Sequence, residues 1–359
     1  MFENRKKQTA LSELGEFGLI RHLTRNIKPR RSSTIKGVGD DAAVLDYQGK
    51  KILVSTDLLI EGVHFDLTFT PLKHLGYKAA VVNFSDIAAM NALPAQLTVS
   101  IAVSNRFSLE AVEEIYSGIL LACERYQVDL VGGDTSSSVT GLMMSLTVMG
   151  EAEGEDIIYR STARENDLVC VSGDLGAAYM GLLLLEREKK VFTADPSIQP
   201  DLGGNDYILQ RQLKPEARVD MVRKLKALQV KPTAMIDISD GLASELLHIC
   251  TESQTGCTIY EDKIPIDPGT LSMSQEMGLD LMTCALNGGE DYELLFTVDL
   301  HDYDKLKDDP DITVIGHITH KSGGRNLITR SGSQVELRAQ GWEAFVERRE
   351  ERGERREEK

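Results

Sequence analysis

Hydrophobic positions along the chain follow two alternating periods, one near 3.6 residues and one of 2. Leu14, Phe17, Ile20 and Leu23 predict a short amphipathic helix over 11–25. KILVSTD (51–57) reads as a strand ending in polar residues. A helix is predicted over 70–94, with Thr70 as N-cap, Pro71 in the first turn and Pro94 beyond the end. β-Branched alternation predicts a strand over 96–104, and a helix capped by Ser108 follows over 108–128. VDLVGGD (128–134) predicts a short strand entering a glycine turn, and GLMMSLTVMGE (141–151) another strand.

The pattern then restarts. LVCVSGD (168–174) reads as a strand, and GAAYMGLLLLEREKK as a helix that Asp174 could cap. Residues 191–215, with three prolines and two adjacent glycines, are expected to be irregular. TAMIDISDG (233–241) predicts a strand into a turn, with a helix over LASELLHICTES. CTIYED, YELLFTVD (292–299) and ITVIGHIT (312–319) read as further strands. The polar stretch EAEGEDIIYRSTARENDL interrupts the periodicity near 151–160. Three parts are therefore expected: an N-terminal domain over 1–155, a C-terminal α/β domain over 156–345 and a charged tail over 346–359. Both halves mix strands and helices, so the class is α/β or α+β.

Composition narrows the function classes. Lys+Arg number 40 and Asp+Glu 56, a net charge of −16, which argues against broad nucleic-acid binding. The five cysteines contain no C-x-x-C pair, so reduced thiols are expected rather than disulfides or a zinc site. The N-terminus has no signal-peptide core, and no apolar run approaches the roughly 20 residues of a membrane helix. A soluble cytoplasmic protein with no membrane partner is the expectation.

The aspartates recur beside glycine or serine at predicted strand ends: GVGDD (37–41), STD (55–57), GGDTSSS (132–138), DISDG (237–241) and NGGEDYE (287–293). Each motif alone could be helix capping or turn chemistry, for Asp174 and Asp240 in particular. Asp86 differs. It lies late in a predicted helix among Val82, Ile87, Ala88 and Ala89, with Asn83 on the same face. A buried carboxylate there requires a partner. Were the two halves to face each other, several carboxylates would converge and raise one another's pKa unless a divalent cation intervened. The donors are hard oxygens, with His64 alone nearby, which favours Mg²⁺ or Ca²⁺ over zinc; no EF-hand loop is present. Mg²⁺ fills its shell from substrate phosphates, so the residues suggest Mg²⁺-dependent handling of a polyphosphate. There is no P-loop and no protein-kinase motif set, and GVGDDA follows no predicted strand, which excludes the dinucleotide reading.

GVGDDAAVL, STDLLIEGVHF, YKAAVVNFSDIAAMNALP, LVGGDTS, IDISDGL and NGGEDYELLF, in this order, resemble the thiamine-monophosphate kinase family. That family lies within the aminoimidazole ribonucleotide synthetase-like superfamily, and the resemblance runs from about Glu13 to about Phe345. It implies a two-domain α/β fold that dimerises through its N-terminal domains. It implies transfer from ATP to thiamine monophosphate, giving thiamine diphosphate, with several Mg²⁺ ions. The metal ligands it implies are Asp40, Ser55, Thr56, Asp57, Asp86, Asp134, Asp237 and Asp240, with Asp57, Asp134 and Asp240 as the catalytic subset. ATP would meet Tyr116, Gly133, Asp134, Arg160 and Ser239, and the substrate His64, Glu290 and Trp342. Asp41 is expected to shape the turn beside Asp40. Stretch 191–210 looks longer than the family pattern. Sister activities that need an N-terminal or C-terminal reactive cysteine fit poorly, since the first cysteine is Cys123 and the tail has none.

Overall fold

The computed structural model describes residues 33–36, 39–47 and 50–340. The predicted helix 11–25, Trp342 and the charged tail lie outside them. Residues 31–341 form one compact unit containing two sheets. The first sheet joins β1 (Thr34–Lys36), β2 (Ala43–Tyr47), β3 (Lys50–Ile60), β4 (Leu93–Val103), β5 (Asp129–Ser137) and β6 (Met143–Ala152) in the order β1-β2-β3-β6-β4-β5. Only β4 and β5 pair in parallel. Helices α1 (Leu72–Ala89) and α2 (Leu109–Tyr126) are built into its core. They approach closely at two glycines: a Cβ on Gly76 would meet the Ile115 carbonyl at 1.9 Å, and one on Gly118 the Lys73 carbonyl at 1.9 Å.

The second sheet contains β7 (Leu168–Ser172), β8 (Ala234–Asp237), β9 (Gly256–Tyr260), β10 (Leu294–Val298), β11 (Ile312–Thr319), β12 (Arg325–Ile328) and β13 (Gln334–Glu336). Its order is β13-β12-β9-β11-β7-β10-β8, antiparallel except where β12 meets β9. The helices of this half are α3 (Ala177–Ala194), α4 (Asp206–Leu213), α5 (Val219–Ala227), α6 (Leu242–Glu252), α7 (Pro268–Met277), α8 (Leu281–Asn287) and the single turn α9 (Tyr303–Leu306). Mixed α/β layering is thus as the alternating periods predict.

Helix α1 organises both halves. It is buried almost all round, as a helix without a polar stripe must be. From it Tyr77 donates to Glu216 (2.7 Å), Lys78 pairs with Glu290 (2.7 Å) and Ser85 donates to Asp237 (2.5 Å). All three partners belong to the second half of the chain.

Several local expectations change. Helix α1 starts at Leu72 after Pro71, with no side-chain cap, so Thr70 does not cap it. It ends at Ala89, where Asn91 in a left-handed conformation (φ 58°) turns the chain into β4. Ser108 does cap α2, accepting from the Ala111 amide at 3.3 Å. The glycines of VGGD do not turn: β5 runs through to Ser137, and a Cβ on Gly133 would meet the Val99 carbonyl at 1.9 Å. Close strand approach, not chain reversal, explains a glycine there. Within 191–215, α3 continues to Ala194 and α4 forms, burying Ile208 and Gln212 one turn apart.

The start of α3 is capped from a distance. Asp291 accepts from the amides of Gly176 (2.8 Å) and Ala178 (3.4 Å), whereas Asp174 accepts from the Tyr207 hydroxyl. Replacing Asp291 by Ala removes two amide acceptors and a buried neighbour of Arg211. Urea denaturation of Asp291→Ala is expected to show a loss of about 2–4 kcal/mol, against about 1 kcal/mol for Asp174→Ala. Equal losses would contradict the long-range cap.

Candidate active site

Strand alternation decides which residues of STD enter the site. Leu53, Ser55, Asp57 and Leu59 share the α1-facing side of β3, where Leu53 and Leu59 are buried. The Ser55 hydroxyl donates to the Asp86 carboxylate at 2.5 Å and lies 3.0 Å from the Asp41 carbonyl. The Asp57 amide donates to Asn83 at 3.2 Å. Thr56 points to the opposite face: it donates to the Leu146 carbonyl (2.9 Å) and accepts from Thr147 (3.0 Å). The geometry therefore separates Thr56 from Ser55 and Asp57.

Three carboxylates converge beside Ser55. Oxygens of Asp41, Asp86 and Asp237 all lie within 4.8 Å of one another. They come from the β1–β2 turn, from α1 and from the end of β8. Arg160 faces this cluster from the segment between the two sheets, 2.6 Å from Asp41 and 3.5 Å from Asp40. Both Asp40 and Asp41 keep a buried carboxylate oxygen without a hydrogen-bond partner. Asp41, expected only to shape the turn, is the member of the pair that joins the cluster. Asp40 stands behind it, with Lys36 3.6 Å away.

The electrostatics follow from burial first and from crowding second. Burial, then the charge of Asp41, raises Asp40 to about 6. Burial raises Asp57 to about 6. Asp237 rises to about 7 through burial and then Asp41, partly offset by its bond from Ser85. Asp86 is pushed well above the usual carboxylate range by burial, then by Asp57 and Asp237. Such a set of hard oxygen donors, two of them with unpartnered buried oxygens, fits a divalent cation such as Mg²⁺.

Asp57, Asp86 and Asp237 also line a cavity of about 170 Å³, together with His64, Lys78, Ser239, Glu290 and Tyr292. Ser239 and Asp240 follow β8 and are tied to Glu245 of α6. The Ser239 hydroxyl donates to it at 3.4 Å and the Asp240 amide at 3.0 Å. Glu245 is buried, and burial followed by Asp240 raises its pKa well above the usual range. His64 accepts the Ile60 amide on Nδ1 at 3.0 Å, and burial lowers its pKa. Glu290 sits in a left-handed backbone conformation (φ 59°), as does Tyr292 (φ 51°). Neither residue is a glycine, asparagine or aspartate, so each carries backbone strain that the surrounding contacts must hold.

The remaining predicted residues lie elsewhere. Gly133 and Asp134 are exposed on β5, an outermost strand of the first sheet among the described residues, separated from β3 by β6 and β4. Tyr116 on α2 packs against the first core. Trp342 is outside the described residues. Lys78, Ser85, Gln212 and Glu245 belong to the site's surroundings although sequence reading does not single them out. For Lys78 the signal existed: 78, 82 and 86 are spaced to share one helix face.

Residues 39–152 match a family model described as "AIR synthase related protein, N-terminal domain". Thiamine-monophosphate kinase of Bacillus subtilis (strain 168) is 34% identical over 341 residues, covering 92% of this chain and 100% of the relative. The same enzyme of Aquifex aeolicus (strain VF5) is 36% identical over 335 residues, covering 93% and 99%. The solved complex "AaThiL complexed with AMPPCP and TMP" aligns with a TM-score of 0.79 at 32% identity, covering 95% of this chain and 100% of that one. The hydrogenase maturation protein HypE in complex with ATP shares the fold, with a TM-score of 0.65 at 21% identity over 92% of this chain and 98% of that chain. With identity above 30% running along nearly its whole length, and with Asp57, Asp86, Asp237 and Glu290 lining one cavity, the chain belongs to the thiamine-monophosphate kinase family.

Proposed function

We propose that this protein transfers the γ-phosphoryl group of ATP directly to the phosphate of thiamine monophosphate, giving ADP and thiamine diphosphate. The observation that carries the reading is the convergence of Asp41, Asp86 and Asp237 beside a cavity that Asp57 also lines. Mg²⁺ ions would be held by these carboxylates, with Asp40, Ser55 and Asp240 close by. When bound they supply positive charge that offsets repulsion between two phosphates. The family pattern also names Thr56 and Asp134 as ligands, although within one chain both lie away from this cluster.

The chain's own residues orient and shield. An acceptor phosphate oxygen attacks the γ-phosphorus, the bond to the β,γ-bridging oxygen breaks, and ADP leaves in line. A phosphate with a second pKa of about 6 is largely ionised at neutral pH, so no general base is required. That accords with a site whose histidine, His64, has its Nδ1 committed to a backbone amide. Arg160, held by Asp40 and Asp41, is a fork donor suited to ATP phosphates. Ser239 borders the same cavity for nucleotide contact, and Tyr116, Gly133 and Asp134 complete the ATP set by family pattern. His64, Glu290 and Trp342 are assigned to thiamine monophosphate.

The protein is further read as a cytoplasmic homodimer, with the N-terminal domain (1–155) pairing and the C-terminal domain (156–345) completing the cleft. Support comes from the side of the first sheet that carries Thr56, Leu58 and Ser100, which are exposed. No helix among the described residues is long and apolar enough to cross a membrane. Light scattering should return twice the chain mass; a monomer would contradict the dimer.

Three experiments test the reaction and its cation site. ADP release with stoichiometric thiamine diphosphate is expected from ATP, Mg²⁺ and thiamine monophosphate. Asp57→Asn should lower kcat by about 100-fold or more, in the range set by loss of electrostatic stabilisation. A phosphorylated protein formed with ATP alone would contradict direct transfer. In a thermal melt without Mg²⁺, Asp86→Asn is expected to melt above wild type, because the carboxylate it replaces is held charged only against burial and like charges. Mg²⁺ should then raise the melting temperature of wild type by several degrees and that of the variant little. An Asp86→Asn protein that keeps the full Mg²⁺ shift would remove Asp86 from the cation site.

A further inference from the structure

Lys78 has no part in the reaction as described, yet it lines the same cavity. Its residue is only 5% exposed, a depth at which an ammonium needs compensating partners. It has two: Glu290 Oε1 at 2.7 Å and the Gln212 carbonyl at 3.2 Å. The Gln212 amide in turn donates to the other Glu290 oxygen, Oε2, at 2.8 Å. Each oxygen of Glu290 is thus gripped once, from two different elements, α1 and α4. A carboxylate offers about four acceptor positions, so two remain for a ligand.

The clamp has a firm base. Next to Gln212, Arg211 bonds Glu293 at 2.7 Å and the Asp174 and Asp291 carbonyls at 3.1 and 3.2 Å. Arg218 also donates to Glu293. The loop that carries Glu290 is therefore anchored at Asp291 and Glu293, directly C-terminal to it.

Position assigns the role. Lys78 and Asp86 share a face of α1 but are eight residues apart, about 12 Å along the axis at about 1.5 Å per residue. Side chains on a helix tilt toward its N-terminus, which carries Lys78 further from the carboxylate cluster. The Lys78–Glu290 pair consequently marks the end of the cavity remote from the phosphoryl-transfer centre.

We infer that Lys78 and Gln212 are positioning residues for acceptor recognition: they hold Glu290 so that its free acceptor positions receive the N–H-donating heterocycle of the acceptor while the phosphate reaches the carboxylate cluster. This rests on the proposed kinase activity. An ion pair that merely bolts α1 to the 287–293 loop would affect stability and both substrates alike.

The test is steady-state kinetics of the full chain with thermal melts, for wild type, Lys78→Met, Lys78→Arg and Gln212→Met. Lys78→Met is expected to raise KM for thiamine monophosphate at least tenfold, with KM for ATP within twofold and kcat within threefold. Lys78→Arg, which keeps the charge, should recover part of the loss, and Gln212→Met should raise the same KM at least threefold. A folded Lys78→Met with an unchanged KM for thiamine monophosphate, or an equal rise for both substrates, overturns the inference. If Lys78→Met does not fold, Gln212→Met decides, and an unchanged KM there overturns it. Wild-type protein that forms no thiamine diphosphate overturns the kinase reading and this inference with it, whereas active wild type with unresponsive variants overturns the inference alone.

Discussion

Like-charge crowding around Asp86 is the constraint on which the site depends. Three carboxylates lie within 4.8 Å of one another. At an effective dielectric constant of about 20, each ionised pair at that distance repels by about 3–4 kcal/mol. Domain stability is only about 5–15 kcal/mol, so three such pairs could exhaust it. Arg160 answers Asp41 directly, but Asp86 and Asp237 have hydroxyl donors, Ser55 and Ser85, as their short-range partners. A neutral hydroxyl satisfies a lone pair without cancelling charge. A divalent cation, as proposed for this site, would relieve that repulsion; without one the pKa values of Asp86 and Asp237 are raised, first by burial and then by the neighbouring carboxylates.

Helix α1 is what makes that crowding tolerable. A loop would relax to separate the charges; a helix buried on nearly every side does not. Its small residues allow sheet and helices close around it, and its Tyr77, Lys78 and Ser85 reach Glu216, Glu290 and Asp237 of the second half. The same helix thus supplies a cluster carboxylate, a cavity cation and the contacts between halves. Rigid placement of this kind is what positioning-based phosphoryl transfer requires.

Periodicity made much of this legible. Strands β3 to β11 and helix α1 are visible in the sequence, whereas the short outer strands β1, β2, β12 and β13 are not; Asp86 stands out because aspartate is misplaced late in an apolar helix. Local signals misled where a tertiary contact took over their job. Asp174 has the composition of a cap, but the α3 amides are met by Asp291, more than a hundred residues later. Gly132 and Gly133 have the composition of a turn, but Gly133 lies within a strand whose neighbour's backbone leaves no room for a side chain. For adjacent Asp40 and Asp41, residue type is silent on which carboxylate faces the cluster, since neighbours in a turn diverge by backbone geometry alone. Thr56 shows the converse: motif resemblance groups it with Ser55 and Asp57, whereas strand alternation, itself readable in sequence, sends it to the other face.

The backbone around Glu290 completes the physical account. Two non-glycine residues of NGGEDYE, Glu290 and Tyr292, hold left-handed conformations that cost about 1–3 kcal/mol each. A sequence free to minimise strain would place glycine at both. Anchors for the loop are instead concentrated on its alternate members: Asp291 on the α3 amides, and Glu293 on Arg211, Arg218 and Ser172. These bonds over-determine the backbone, so the strained Glu290 keeps its side chain at the cavity rather than swinging to solvent. Strain appears where a side chain is used, and the charge network behind it holds the loop in place.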